Sequence, residues 1–110
     1  MSQVSALTQV RRLETQVQAI LRDIDTDRPK SQQQLARQLK QNLTDARLDI
    51  RDAEYADTGV EYGRHVAQAK KRLTKVNADM LHLSQDGIFS ALEVAELGVN
   101  IEQIVEALHL

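Results

Sequence analysis

The chain has 110 residues, of which 42% are hydrophobic and 27% charged, and its formal net charge is −2. This length is enough for one domain with a modest core, and the absence of cysteine excludes a disulfide framework, a thiolate nucleophile and a zinc ribbon. One proline and four glycines are typical of a helical protein, and so small a net charge does not by itself imply a nucleic-acid or membrane partner.

The first segment predicts an amphipathic helix over residues 3–25. Its apolar residues recur mostly at steps of three and four, which places them on one stripe of a helix. They are Val4, Leu7, Val10, Leu13, Val17, Ile20, Leu21 and Ile24. Ser2 or Ser5 is the expected N-terminal cap, and the polar run at 25–27 together with Pro29 is expected to end the helix.

A second helix is predicted over residues 29–57. Pro29 suits its first turn, where a missing N–H costs nothing, and Asp27 is the expected cap. The apolar stripe continues at Leu35, Leu39, Leu43, Ala46, Ile50 and Ala53. The sequence at 57–59, Asp-Thr-Gly, predicts a stop in which the glycine closes the helix.

A third helix is predicted over residues 60–84 from the most regular heptad pattern in the chain. Its stripe is Tyr62, Val66, Ala69, Leu73, Val76, Met80 and Leu83. Helices 2 and 3 have about 25 residues each and a short connection, so we expect an antiparallel hairpin about 38 Å long. A single continuous helix is the less favoured interpretation, because the two stripes are out of register across residue 59.

A fourth helix is predicted over residues 90–109, after a turn at 84–87. Ser90 followed by Glu93 has the spacing of a capping box, and Phe89 with Val94 fits a hydrophobic staple. The apolar stripe is Val94, Leu97, Ile101, Ile104 and Leu108. Gly98 is a candidate break that would divide this helix into two pieces.

These elements predict an all-α protein with a single domain, residues 1–110. The expected architecture is an up-and-down antiparallel bundle of four helices with a long central hairpin. An alternative arrangement has helix 1 extending away from the others as an oligomerising coiled coil.

Charge is unevenly distributed along the chain. Residues 59–84 carry five basic and two acidic side chains, whereas residues 85–110 carry five acidic ones and no Lys or Arg. One interpretation makes helices 3 and 4 neighbours within one bundle, and the other matches their charges between subunits. The two interpretations are compatible.

The C-terminal helix is also unusually apolar, because 14 of the 23 residues from 88 to 110 are hydrophobic. A core-facing stripe alone needs fewer, so we predict that this helix contacts a partner, most simply a second copy of the chain. The candidate contact residues are Leu97, Ile101, Ile104, Val105 and Leu108, with Glu102 and Glu106 at the rim. The corresponding function is that of a small non-enzymatic adaptor, scaffold or regulatory subunit that self-assembles, first of all as a dimer, or binds another protein.

A different class of function is suggested by the basic side of helix 3. Arg64, Lys71 and Lys75 share one face of that helix, which is a candidate site for an anionic ligand or a nucleic acid. No aromatic residues are interleaved with these cations for base stacking, so a nucleic-acid partner is disfavoured.

One short segment carries a family resemblance. Residues 42–56, NLTDARLDIRDAEYA, match a pattern at Asn42, Leu43, Ala46, Arg47, Ile50, Asp52, Ala53, Tyr55 and Ala56. In these positions the segment resembles a stretch in the C-terminal region of bacterial flagellins. The likeness covers about 15 of 110 residues, and it implies a filament element as a further alternative function.

We expect no catalytic activity, cofactor, metal ion or membrane partner. The sequence has no Gly-rich phosphate loop and no nucleophile elbow. Asp45, Asp49 and Asp52 share a helix face but alternate with Arg47 and Arg51, as on an ordinary charged surface. With no signal segment and no apolar run near the length of a spanning helix, a cytoplasmic location is expected.

Overall fold

A computed structural model describes residues 5–22, 24 and 28–108, which contain four α-helices and no strand. The helices are α1 (Ala6–Arg22), α2 (Lys30–Glu54), α3 (Gly59–Gln85) and α4 (Ala91–Ala107). The predicted all-α bundle is therefore confirmed. The candidate cap Ser2, the stripe residue Val4, and the stop signal at 25–27 with its expected cap Asp27 lie outside the described residues.

The four helices form a closed ring in which each packs against two neighbours. Helix α2 packs against α1 and α3, and α4 packs against α3 and α1. Arg28 Nη1 donates a hydrogen bond to the carbonyl oxygen of Asp86 at 3.0 Å, which joins the α1–α2 and α3–α4 connections at one end of the bundle. Helix α1 is thus part of the bundle, and the alternative in which it extends away is corrected.

The α2–α3 hairpin forms the most extensive helix–helix interface and sets the long dimension of a molecule measuring 47 × 29 × 18 Å. Almost the whole predicted stripe of both helices is buried, with Leu35 and Tyr62 half-buried against the core. Each ring member contributes fully enclosed side chains, for example Val17, Leu43, Leu73 and Ile104. Burial of such a side chain stabilises the fold by about 1.5–3 kcal/mol.

Side-chain caps fix the starts of α1, α3 and α4. The Ser5 Oγ accepts from the Thr8 N–H at 3.2 Å, and the Thr58 Oγ1 accepts from the Glu61 N–H at 3.1 Å. At α4 the Ser90 hydroxyl accepts from the Glu93 N–H, and the Glu93 carboxylate accepts from the Ser90 N–H. The predicted capping box is therefore confirmed.

Three local predictions are corrected by the structure. Gly59 does not close α2, which ends at Glu54; it begins α3, because the Thr58 hydroxyl caps the helix that follows. Pro29 is the N-cap of α2 and not a residue of its first turn. Gly98 does not divide α4, since burial of the core-facing side chains on both sides outweighs the cost of about 1 kcal/mol for a helical glycine.

Candidate interaction surface

The predicted contact residues of α4 lie on its inner face. Leu97, Ile101, Ile104 and Leu108 are buried in the chain's own core, and Val105 is half-buried against it. Their spacing turns them towards α1 and α3, the two helices that α4 packs on. In the folded bundle the four buried side chains are unavailable to a partner, so we consider the other side of α4 as the candidate surface.

The outward face of α4 combines exposed apolar and acidic side chains. Leu92 is 68% exposed and Val99 is 51% exposed, and their separation of seven residues places them on the same side of the helix. Glu96, Glu102 and Glu106 are exposed along the same helix. We call these five residues the outer α4 face.

The carboxylates of the outer α4 face have no ion-pair partner within the part of the chain that the structure describes. Helices α3 and α4 are neighbours, as the sequence predicts, yet no described ion pair joins them. On the α1 side, α4 is joined by a hydrogen bond from Asn100 Nδ2 to Gln16 Oε1 at 3.2 Å. The packing of α4 therefore leaves its negative charge facing solvent.

The predicted basic face of α3 is partly neutralised within the chain. Arg64, Lys71 and Lys75 are all exposed, but Lys75 Nζ lies 3.5 Å from Asp79 Oδ1. The adjacent Arg72 binds Asp49 at 2.9 Å and Asp45 at 3.3 Å, both across the α2–α3 interface. Within the described chain Arg64 and Lys71 have no ion pair.

A shallow groove of about 420 Å³ runs along this side of α3. Its lining combines cationic and amide side chains with small ones, namely Asn42, Gln68, Lys71, Arg72, Thr74, Lys75 and Ala78. Two of the predicted anion-binding residues, Lys71 and Lys75, are thus brought together at the groove. Arg64 does not line it.

Asp79 is a buried carboxylate that the sequence analysis did not single out. It is 1% exposed, and its Oδ2 has no hydrogen-bond partner among the described residues. Its position, three residues after Val76 and four before Leu83, lies beside the apolar stripe, and this spacing was the available signal. A half-paired buried carboxylate is costly to a fold.

The three aspartates of α2 that share a face each form an ion pair with an arginine of the same chain. Asp45 and Asp49 bind Arg72, while Asp52 contacts its neighbour Arg51. Four positions of the flagellin-like segment, Leu43, Ala46, Ile50 and Ala53, belong to the core. Across residues 5–22, 24 and 28–108 no group of three His, Asp or Glu side chains is arranged to hold a metal ion.

Comparison of the chain with protein-family models, curated proteins and solved structures gives no match. In the described residues, none of the helices has the length and apolar character needed to cross a membrane. The most distinctive feature of the described surface is the outer α4 face, with its exposed Leu92 and Val99 and its unpaired carboxylates.

Proposed function

We propose that this chain is a non-enzymatic cytoplasmic protein that acts by binding another protein through the outer α4 face. The observation that carries the proposal is the combination of two large exposed apolar side chains, Leu92 and Val99, with carboxylates that have no ion-pair partner in the described chain. A partner would bury the apolar pair, and the carboxylates would orient it. The role is that of an adaptor, scaffold or regulatory subunit.

The shape of the surface also supports binding to a protein. The carboxylates are spread along one turn after another of a convex helix, whereas catalytic acids and small-molecule ligands are usually gathered in a cleft. A helix that presents apolar residues seven apart, flanked by one sign of charge, has the pattern by which helices recognise one another.

Site-specific photo-crosslinking in living cells tests this proposal. A photoreactive amino acid at Val99 is expected to give a discrete crosslinked species, because this position would lie inside the contact. The matched control places the same amino acid at Gln34, which is exposed on α2, a helix that does not contact α4. Absence of a crosslink from Val99, or an identical pattern from Gln34, would reject the proposal.

The groove on α3 favours a second candidate function, the binding of an anionic ligand. Lys71 and Lys75 line the groove together with the amides of Asn42 and Gln68, which are suitable donors to phosphate or carboxylate oxygens. Such binding should weaken steeply as the salt concentration rises, and Lys71→Glu should abolish it. Titration of the protein with inorganic phosphate measures both effects.

A further inference from the structure

We infer that the protein bound at the outer α4 face is a second copy of this chain, an inference that rests on the function proposed for that face. In this dimer a two-fold axis runs parallel to the helices, so that α4 of each subunit lies on α3 of the other. The inference follows from the charge and the spacing of the two exposed surfaces.

The exposed side of α3 is complementary to the outer α4 face in charge. Lys71 is exposed and Lys70 is half-buried, and neither has an ion pair within the described chain, as is true of the exposed Glu102 and Glu106. Towards its C-terminal end α3 presents Leu81, which is 49% exposed. Each helix therefore carries charge towards one end of this surface and an exposed leucine towards the other, with opposite charges on the two helices. Glu96, between Leu92 and Val99, is a further exposed negative charge on α4.

The two helices also match in the position of these parts along the bundle. A Cβ built on Gly98 would lie 3.8 Å from Asn77 Oδ1. Residues 77 and 98 are therefore at the same height along the bundle axis, and we use this height as the reference level. From a rise of 1.5 Å per residue, Lys70 and Lys71 lie about 9–11 Å to one side of that level, and Glu102 and Glu106 lie about 6–12 Å to the same side.

The apolar parts lie on the opposite side of the same level. Leu81 is about 6 Å from it along α3, and Leu92 is about 9 Å from it along α4. Val99 is close to the level itself, where α3 offers the small side chains of Thr74 and Ala78 that line the groove. The groove is therefore at the correct height to receive Val99 of the partner subunit.

This matching selects the direction of the symmetry axis. A two-fold axis parallel to the helices preserves levels, so Lys70 and Lys71 meet Glu102 of the partner subunit and Leu81 meets Leu92 of the partner subunit. A perpendicular axis inverts the levels and sets the lysines against Leu92 of the partner subunit. Only the parallel axis gives complementary contacts in both directions, as an isologous interface requires.

The size of the surface predicts a reversible dimer. Two adjacent helices about 10 Å wide and about 25 Å long offer roughly 500 Å² per subunit, at the lower end for a specific interface. We therefore expect monomer and dimer to exchange with concentration, with an affinity in the micromolar range.

Charge reversal followed by mixing tests the arrangement, with sedimentation velocity of the full chain as the readout. Variant A carries Lys70→Glu and Lys71→Glu, and variant B carries Glu102→Lys and Glu106→Lys. Each variant alone is expected to dimerise at least roughly tenfold more weakly than the wild type, because like charges then face each other. An equimolar mixture of A and B is expected to recover dimerisation, since both contacts of the mixed dimer are complementary.

The control is Arg37→Glu with Lys40→Glu, a charge reversal of the same size on the exposed side of α2, which does not contact α4; it should leave dimerisation unchanged. Circular dichroism of each variant establishes that the bundle is intact. Recovery on mixing cannot result from a change inside one subunit, so it supports the intermolecular pairing directly.

Two outcomes overturn the inference. One is a wild-type chain that stays monomeric at every concentration, and the other is a dimer that neither variant A nor variant B weakens, or that mixing does not restore. The proposed function is judged separately by the Val99 crosslink. A crosslinked species whose mass differs from twice that of the chain would support binding through α4 while rejecting a second copy as the partner.

Discussion

Helices α2 and α4 are held in the same bundle by different means. Helix α2 is joined to both neighbours by ion pairs, Arg47 with Glu14 of α1 and Asp45 and Asp49 with Arg72 of α3. Helix α4 is held by its apolar face, and no ion pair in the described part of the chain involves it. Three charged side chains of α2 are thus paired with neighbouring helices, whereas none of α4 is paired in this way within the described chain.

This difference shows that the pairing of charges is more informative than their number. Helix α2 has a dense mixture of Arg, Lys and Asp and would attract attention by composition alone. Its Asp45, Arg47 and Asp49, however, are paired across helix interfaces and stabilise the packing by about 0–1 kcal/mol for each pair. The carboxylates of the outer α4 face have no described ion pair, and for that reason they support the proposal that a partner binds there.

The largest expected change in the free energy of unfolding comes from a replacement on the apolar face of α4, and it tests whether that face holds α4 in the bundle. Replacement Ile104→Ala should lower the free energy of unfolding by about 2–5 kcal/mol, because it leaves a cavity at a side chain with 0% exposure. Leu92→Ala, on the outer α4 face, should change it by no more than about 0.5 kcal/mol. Urea denaturation followed by circular dichroism measures both, and equal effects would contradict the distinction between the two faces.

A smaller effect is expected where α2 and α3 are joined by charge. Arg72→Ala should lower the free energy of unfolding by about 1 kcal/mol, because it removes the shared partner of Asp45 and Asp49. The loss should shrink as salt screens the wild-type interaction. Lys71→Ala, one residue away and without an ion pair in the described chain, is the matched control with an expected change below about 0.5 kcal/mol.

The smallest change in the free energy of unfolding is expected for Asp79, the buried carboxylate of α3. Asp79→Ala should raise the free energy of unfolding by up to about 1 kcal/mol, because it removes a half-paired buried group and introduces a better helix former. Lys75→Ala should lower it, since the carboxylate then loses its one described cation. If both replacements destabilise the fold equally, the pair itself is stabilising and this interpretation is wrong.

The helical bundle could be predicted from the sequence because its stripes are regular. Leu39, Leu43, Leu73 and Val76 recur with the period of a helix, and they are buried as that period requires. The start of α4 was equally clear, since a capping box is a local feature that depends on no distant residue.

The candidate site could be predicted only in part. The sequence predicts α4 as the contact element, and this stays a prediction. With apolar residues at most positions of α4, the pattern cannot separate inner from outer residues, so it selects Ile104, which the structure buries, and not Leu92, which is exposed. The Arg72 ion pairs and the burial of Asp79 depend on which helix lies opposite, and that information is tertiary. A mixed charged face looks the same in sequence whether or not it is paired.

The closed ring of helices has a consequence for the order in which the chain folds. The α2–α3 hairpin needs only the short connection between Glu54 and Gly59, whereas the contact between Gln16 and Asn100 joins residues 84 positions apart. Closing the longer loop costs more conformational entropy, and local contacts form sooner. We therefore expect α1 and α4 to meet last, on a hairpin that is already in place.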